Sequence, residues 1–163
     1  MKQTIVLLAV FLFSAMHKPV INHSKSSIDE DLSISMLASV NALRKAGCTC
    51  SGRKMKPVPP LKWNPLLKNA AQGHANDMFE QKYFNHQSRD GRSFDERVTQ
   101  AGYNWMAVGE NIAFGQKTLE SVMAAWKKSG GHCQQMMDKN VTEMGAARTG
   151  NYWVQDFGKP MRR

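Results

Sequence analysis

The chain has 163 residues, is 42% hydrophobic and carries a formal charge of +9, with a pI near 9.7. That length gives one globular domain with chain enough for a real core. Its basic residues are dispersed as Arg44-Lys45, Arg53-Lys54-Lys56, Lys127-Lys128, Lys159 and Arg162-Arg163. A solvated basic surface is therefore expected and dedicated nucleic-acid binding is not, although weak attachment to anionic cell-envelope material is compatible with it.

Residues 1–16 read as a secretory signal peptide: Lys2 precedes an apolar run from Ile5 to Phe13, and the small Ser14 and Ala15 follow. The run is too short to span a bilayer as a stable helix. Phe13 and Met16 fit the small-x-small cleavage rule poorly, so cleavage is the expectation and a retained N-terminal anchor the alternative. Residues 17–27 are polar and unpatterned, a linker, and the domain is expected over 28–160. Within it, Ile28, Leu32, Met36, Val40 and Leu43 recur at spacings of three and four, one face of a helix. Acids open that helix, Arg44-Lys45 close it, as the macrodipole prefers, and Gly47 stops it.

Cys48 to Pro60 reads as a loop, its Pro57-Val58-Pro59-Pro60 end favouring extended polyproline geometry. After a brief extended Leu61-Lys62-Trp63, Asn64-Pro65 supplies an N-cap with proline at the first helical position. The second helix runs to about Lys82, with Leu67, Ala70, Ala71, His74, Ala75 and Met78 on its inner face. His74, on that apolar stripe, reads as a hydrogen-bonded core histidine rather than a metal ligand. His86 follows the helix in a loop beside Tyr83 and Phe84 and is the better site residue.

Asp90-Gly91 marks a turn, and Ser93-Phe94-Asp95-Glu96 a capping box that opens a short helix closed at Gly102. Val108 to Gly115 is a short strand interrupted by Glu110, a carboxylate in an apolar run. A helix from near Thr118 buries Leu119, Val122, Met123 and Trp126 and ends at a Gly130-Gly131 turn that delivers His132 and Cys133. His132 to Asp138 forms a short helical turn with His132 at its positive end, where the neutral imidazole is favoured. Val141 to Arg148 and Tyr152 to Phe157 are strands of a hairpin around Thr149-Gly150-Asn151. Helices in front and a hairpin behind predict α+β layers with antiparallel strands.

Export makes a disulfide the expectation for the three cysteines. A Cys48–Cys50 bridge would be a strained small ring, so Cys133 is expected to pair with Cys48 or Cys50, leaving one thiol over. Closing that long loop contributes about 4 kcal/mol on the chain-entropy model.

The ordered set Leu61-Lys62-Trp63-Asn64, His74-Ala75-Asn76-Asp77-Met78, Tyr83-Phe84-Asn85-His86, Gly109-Glu110-Asn111-Ile112-Ala113, Trp126 through His132, and Tyr152-Trp153-Val154-Gln155-Asp156-Phe157-Gly158 resembles the CAP superfamily. That superfamily comprises the cysteine-rich secretory, antigen 5 and pathogenesis-related-1 proteins, or SCP domain, and its bacterial secreted branch matches best. The resemblance implies an α-β-α three-layer sandwich with a central antiparallel sheet. It also implies a cleft of two histidines and two glutamates able to bind a divalent cation. His86, Glu110 and His132 match three of the four, while the second glutamate's position is taken by Ser129, a cleft neighbour. Gln135 stands where asparagine is usual.

These residues predict a secreted, monomeric binding module whose His/Glu cleft can hold a divalent ion. Two imidazoles suit Zn²⁺, with Glu110 either a third ligand or an outer partner of one ring. The alternatives are a metal-dependent hydrolase or peptidase, and a binder of lipid, envelope polymer or another protein away from the cleft, where Pro57–Pro60 is the segment to watch. With Ser129 in place of a glutamate, Glu110 would serve as ligand or base, hardly both. The chain has neither a His-Glu-x-x-His helix nor a Gly-x-Ser-x-Gly elbow.

Overall fold

The tertiary structure, a computed structural model, describes residues 25–161, with side chains from residue 32 onward. The segment read as a signal peptide and most of the linker lie outside the described residues. In chain order the elements are α1 (Lys25–Ala46), β1 (Cys48–Cys50), β2 (Arg53–Met55), β3 (Lys62–Trp63), α2 (Pro65–Gln81), α3 (Phe94–Gln100), β4 (Trp105–Phe114), α4 (Leu119–Lys128), α5 (Gly130–Met136), β5 (Glu143–Thr149) and β6 (Tyr152–Pro160).

The main sheet has the order β3-β5-β6-β4. β5 pairs antiparallel with β6 and β6 with β4, so the expected antiparallel centre is present; the two-residue β3 joins it in parallel at one edge. Side chains alternate across the strands. Ile112, Ala147, Tyr152 and Val154 pack with Ala71, Ala75 and Met78 of α2 on one face. Ala113, Met144, Ala146, Trp153 and Phe157 pack with α1, α4 and α5 on the other. The result is the three-layer α-β-α sandwich. β4 is the edge strand opposite β3, bonded on one side only, so elements from both helical layers can reach around it.

Local signals set the helices. Asn64 caps α2 by accepting from the Leu66 N–H at 2.8 Å, and Lys82 closes it in the left-handed region. All six inner-face residues expected on α2 are buried. The Ser93 N–H donates to Glu96 at 2.8 Å at the head of α3, and Thr118 caps α4. Trp126 is core, its indole N–H donating to the Ile112 carbonyl at 3.1 Å.

Three expectations about the elements need correction. α1 begins at Lys25, ahead of the apolar repeat that locates it, and so runs into the segment read as linker. Cys48 to Pro60 is no plain loop: its first half is the β1–β2 hairpin, turned by Ser51 and Gly52 at positive φ. Gly130-Gly131 is no turn but the first two residues of α5, Ser129 both ending α4 and preceding α5. Gly130 is small because a Cβ there would strike the Ser51 side chain at the hairpin tip.

Arg44 departs from the solvated basic surface. It is 1% exposed and donates to the backbone carbonyls of Pro59, Met136, Asp138 and Val141 at 2.7 to 3.4 Å. Carbonyl dipoles replace water around the guanidinium, which makes its burial tolerable. Two chain segments, the proline-rich stretch at Pro59 and the stretch 136–141, are tied to α1 by this one side chain.

Candidate functional site

Glu110 sits mid-strand in β4 and points to the α2–α3 face, its side chain fully shielded from solvent. Two groups contact it there. Its Oε1 lies 2.7 Å from His86 Nδ1, and its Oε2 accepts from Arg97 Nη2 at 2.7 Å. A carboxylate accepts only, so His86 donates from Nδ1, and its other ring nitrogen, Nε2, is the one turned away from the acid. The His86 side chain is 51% exposed, so that nitrogen's ring faces accessible space.

The loop that presents His86 is held from behind. Arg97 Nη1 donates to the His86 carbonyl at 2.9 Å, to Ser88 Oγ at 3.1 Å and to the Arg92 carbonyl at 3.1 Å. Arg97 thus ties the loop to the strand acid, a role that nothing in its own sequence neighbourhood announces. His74 Nε2 donates to the Asn85 carbonyl at 2.9 Å, one residue before His86. Burial lowers the His74 pKa, which keeps it neutral, and its Nδ1 has no partner. The reading of His74 as a core histidine therefore stands, with the added task of pinning the loop. A groove of about 260 Å³ between α2 and α3 reaches His74, Ser88 and Arg97 from behind.

A second acid lies beside it on the neighbouring strand. Asp156 is the cross-strand partner of Glu110, 2% exposed, with Oδ1 unpaired. Burial first, and then the Glu110 charge, push its pKa well up, with Arg97 opposing, so Asp156 favours its neutral form.

His132 comes from the opposite layer. Asn111, next after Glu110, points to the other face and donates to the His132 carbonyl at 3.1 Å and to Gln155 Oε1 at 3.1 Å. The first turn of α5 is thereby docked on the strand that carries the acid. Burial, followed by the charge of His86, lowers the His132 pKa. The two imidazoles are thus within electrostatic range of each other across the edge of β4. Ser129 sits where α4 meets α5, three residues before His132. Gln135 fills the space over Gly109, where any Cβ would collide with it.

His86, Glu110 and His132 do not form a compact three-ligand set. Among the described residues, the set of three His, Cys, Asp or Glu with ligand atoms within 4.8 Å of one another is Cys48, Cys50 and Cys133. Both Glu110 oxygens are engaged, so of the two roles expected for it, the outer partner of His86 is the one its contacts match. Arg97 and Asp156 were not singled out from the sequence. The signal for Asp156 is that it is the one acid in its strand; Arg97 offers none.

The cysteine pairing is Cys50 with Cys133, leaving Cys48 free. This staples the β1–β2 hairpin to α5 immediately beside His132.

Residues 37–157 match the family described as CAP, the cysteine-rich secretory protein family. Among curated proteins, the chain is 34% identical over 124 residues to YkwD, an uncharacterized protein of Bacillus subtilis, covering 74% of this chain and 48% of that one. It is 29% identical over 99 residues to YlbC, an uncharacterized membrane protein of the same species, covering 61% of this chain and 29% of that one. The chain thus spans about half the length of the first relative and less of the second. Among solved structures it resembles an extracellular SCP-domain protein from Bacillus anthracis (TM-score 0.74, 21% identity, 88% of this chain and 45% of that one). It also resembles an outer surface protein from Borrelia burgdorferi (TM-score 0.66, 22% identity, 81% and 94%). At such identities the likeness is one of fold. No helix among the described residues is long and apolar enough to cross a membrane.

Proposed function

Because the chain belongs to the cysteine-rich secretory protein family, CAP, we propose that it is an extracellular binding module whose working surface is the cleft between His86 and His132. The single observation that carries this reading is the 2.7 Å contact between His86 Nδ1 and Glu110 Oε1. It commits one ring nitrogen to the protein and leaves the other for a ligand. The neighbours of this chain that are extracellular or surface proteins by description support the location, as does the signal-like pattern of residues 1–16.

The donor set fits a divalent ion of the Zn²⁺ class held by two imidazoles. His86 would offer Nε2, oriented by Glu110, and His132 would offer a ring kept neutral by burial, the form that ligates. Bound there, the ion supplies a Lewis-acidic anchor for an anionic or carbonyl group of a ligand. Glu110 holds His86 still, and Arg97 holds both Glu110 and the loop. Binding is favoured over hydrolysis because neither Glu110 oxygen is free to take a proton from water.

Among ligand classes, an anionic envelope polymer has one specific support. A groove of about 610 Å³ runs between the β1–β2 hairpin and α5, with Arg53, Lys54, Lys56 and Lys139 on its walls.

Zinc calorimetry on the exported form tests the cleft. One equivalent should bind to the wild type and none to the His86→Ala/His132→Ala double variant; uptake unchanged in that variant refutes the site.

A further inference from the structure

The leftover thiol is not isolated. Cys48 Sγ stands 3.6 Å from Cys50 Sγ and 3.7 Å from Cys133 Sγ. Being about equally far from both sulfurs, it lies beside the Cys50–Cys133 bond rather than in line with it. Attack on a disulfide runs along the S–S axis, so this is not the pose of a thiol about to exchange. It is the pose of the third corner of a sulfur triangle.

Those separations match a metal centre. With Zn–S bonds of about 2.3 Å, two sulfurs on one tetrahedral ion stand about 3.8 Å apart. Two edges of the triangle are already close to that length, and the third opens when the disulfide is reduced. The frame suits it: β1 places Cys48 and Cys50 two residues apart on one face, and α5 brings Cys133 to them. Met55 and Met137 pack into the same cluster as the three cysteines, so thioether sulfur surrounds the thiols. Thiolate with thioether is the donor chemistry of soft cations. Burial raises the Cys48 thiol pKa and Lys127 opposes it; the same lysine would offset part of the surplus negative charge of three thiolates on a divalent ion.

We propose that reduction of Cys50–Cys133 turns Cys48, Cys50 and Cys133 into a site for one soft d¹⁰ cation, of the Cu⁺, Zn²⁺ or Cd²⁺ kind. A dithiol reductant gives two electrons to the bond and leaves as its cyclic disulfide, while Cys50 and Cys133 take up its two protons as thiols. The cation then displaces three thiol protons to solvent and forms three metal–sulfur bonds. The site uses none of the histidine side chains of the cleft, although Cys133 directly follows His132 in α5.

The test uses the full chain, reduced anaerobically with a dithiol, freed of reductant and titrated with Cd²⁺. The ultraviolet thiolate-to-cadmium band reads sulfur ligation alone, so binding at the histidines does not register. The band should saturate at one equivalent in the reduced protein and be absent from the oxidised one. Cys48→Ser should lower the band by roughly a third, two thiolates in place of three. It should also weaken binding by at least the ~10–100-fold that loss of a mere outer partner costs. A folded, reduced protein with no band overturns the proposal, as does a Cys48→Ser variant with undiminished band and affinity. Should reduction unfold the chain, return of the near-ultraviolet dichroism at one equivalent of Cd²⁺ supports the site, since binding then drives folding; failure to return overturns it.

Discussion

Arg97 and Glu110 meet at 2.7 Å with their side chains 5% and 0% exposed, joining α3 to the edge strand of the sheet beneath the His86 loop. An acid that far from water is tolerable only while its partners remain, since removing one member of a buried pair leaves an uncompensated charge. Arg97→Met should therefore destabilise the protein by about 3–5 kcal/mol in urea unfolding. Arg97→Lys keeps the charge but loses the planar fork that also reaches three loop acceptors, so it should fall between the two. Equal stability of Arg97→Met and wild type would show that the pair contributes nothing.

Asp156 makes stability depend on pH in a stated direction. Its folded pKa is raised above the ordinary 3.8 by burial and by Glu110, so the native state holds its proton more tightly than the unfolded chain. Its stabilising contribution is complete below about pH 4 and is lost as pH rises through the folded value, with a slope of up to ~1.4 kcal/mol per unit. Asp156→Asn, which does not titrate, should lack that decline. The difference between the two proteins' stability–pH curves reads Asp156 together with its coupling to Glu110. Parallel curves would be the contrary result.

Gly145 is a packing residue. A Cβ on it would fall on the backbone of α2 at Leu67 and Lys68, where no side chain can swing away. Gly145→Ala should cost about 3 kcal/mol or more, the upper range for overpacking. Gly73, exposed in the interior of α2 with open space around its Cα, is the matched control. Gly73→Ala should stabilise by about 0.5–1 kcal/mol through helix propensity and the unfolded chain. Thermal unfolding of the two variants side by side should shift in opposite directions.

Much of the architecture could be read from local chemistry. Asn64-Pro65, Ser93 with Glu96, and Thr118 mark helix starts because capping involves residues within three positions of each other. The inner face of α2 follows from 3.6-residue periodicity, which is equally local. His86 and Glu110 stand out in the sequence as candidates, one in a loop flanked by aromatics and one a carboxylate in an apolar strand, and their 2.7 Å contact joins them.

The chain's letters alone thus determined where helices begin, which faces turn inward and which two polar side chains stand out of place. Only the tertiary structure decided that Arg44 and Arg97 are buried rather than solvated, that Asp156 lies across from Glu110 on the neighbouring strand, and that Cys50, not Cys48, pairs with Cys133. The physical reason is range. Capping and periodicity act between near neighbours, whereas the burial of a charge or the choice of a disulfide depends on groups brought together from far along the chain.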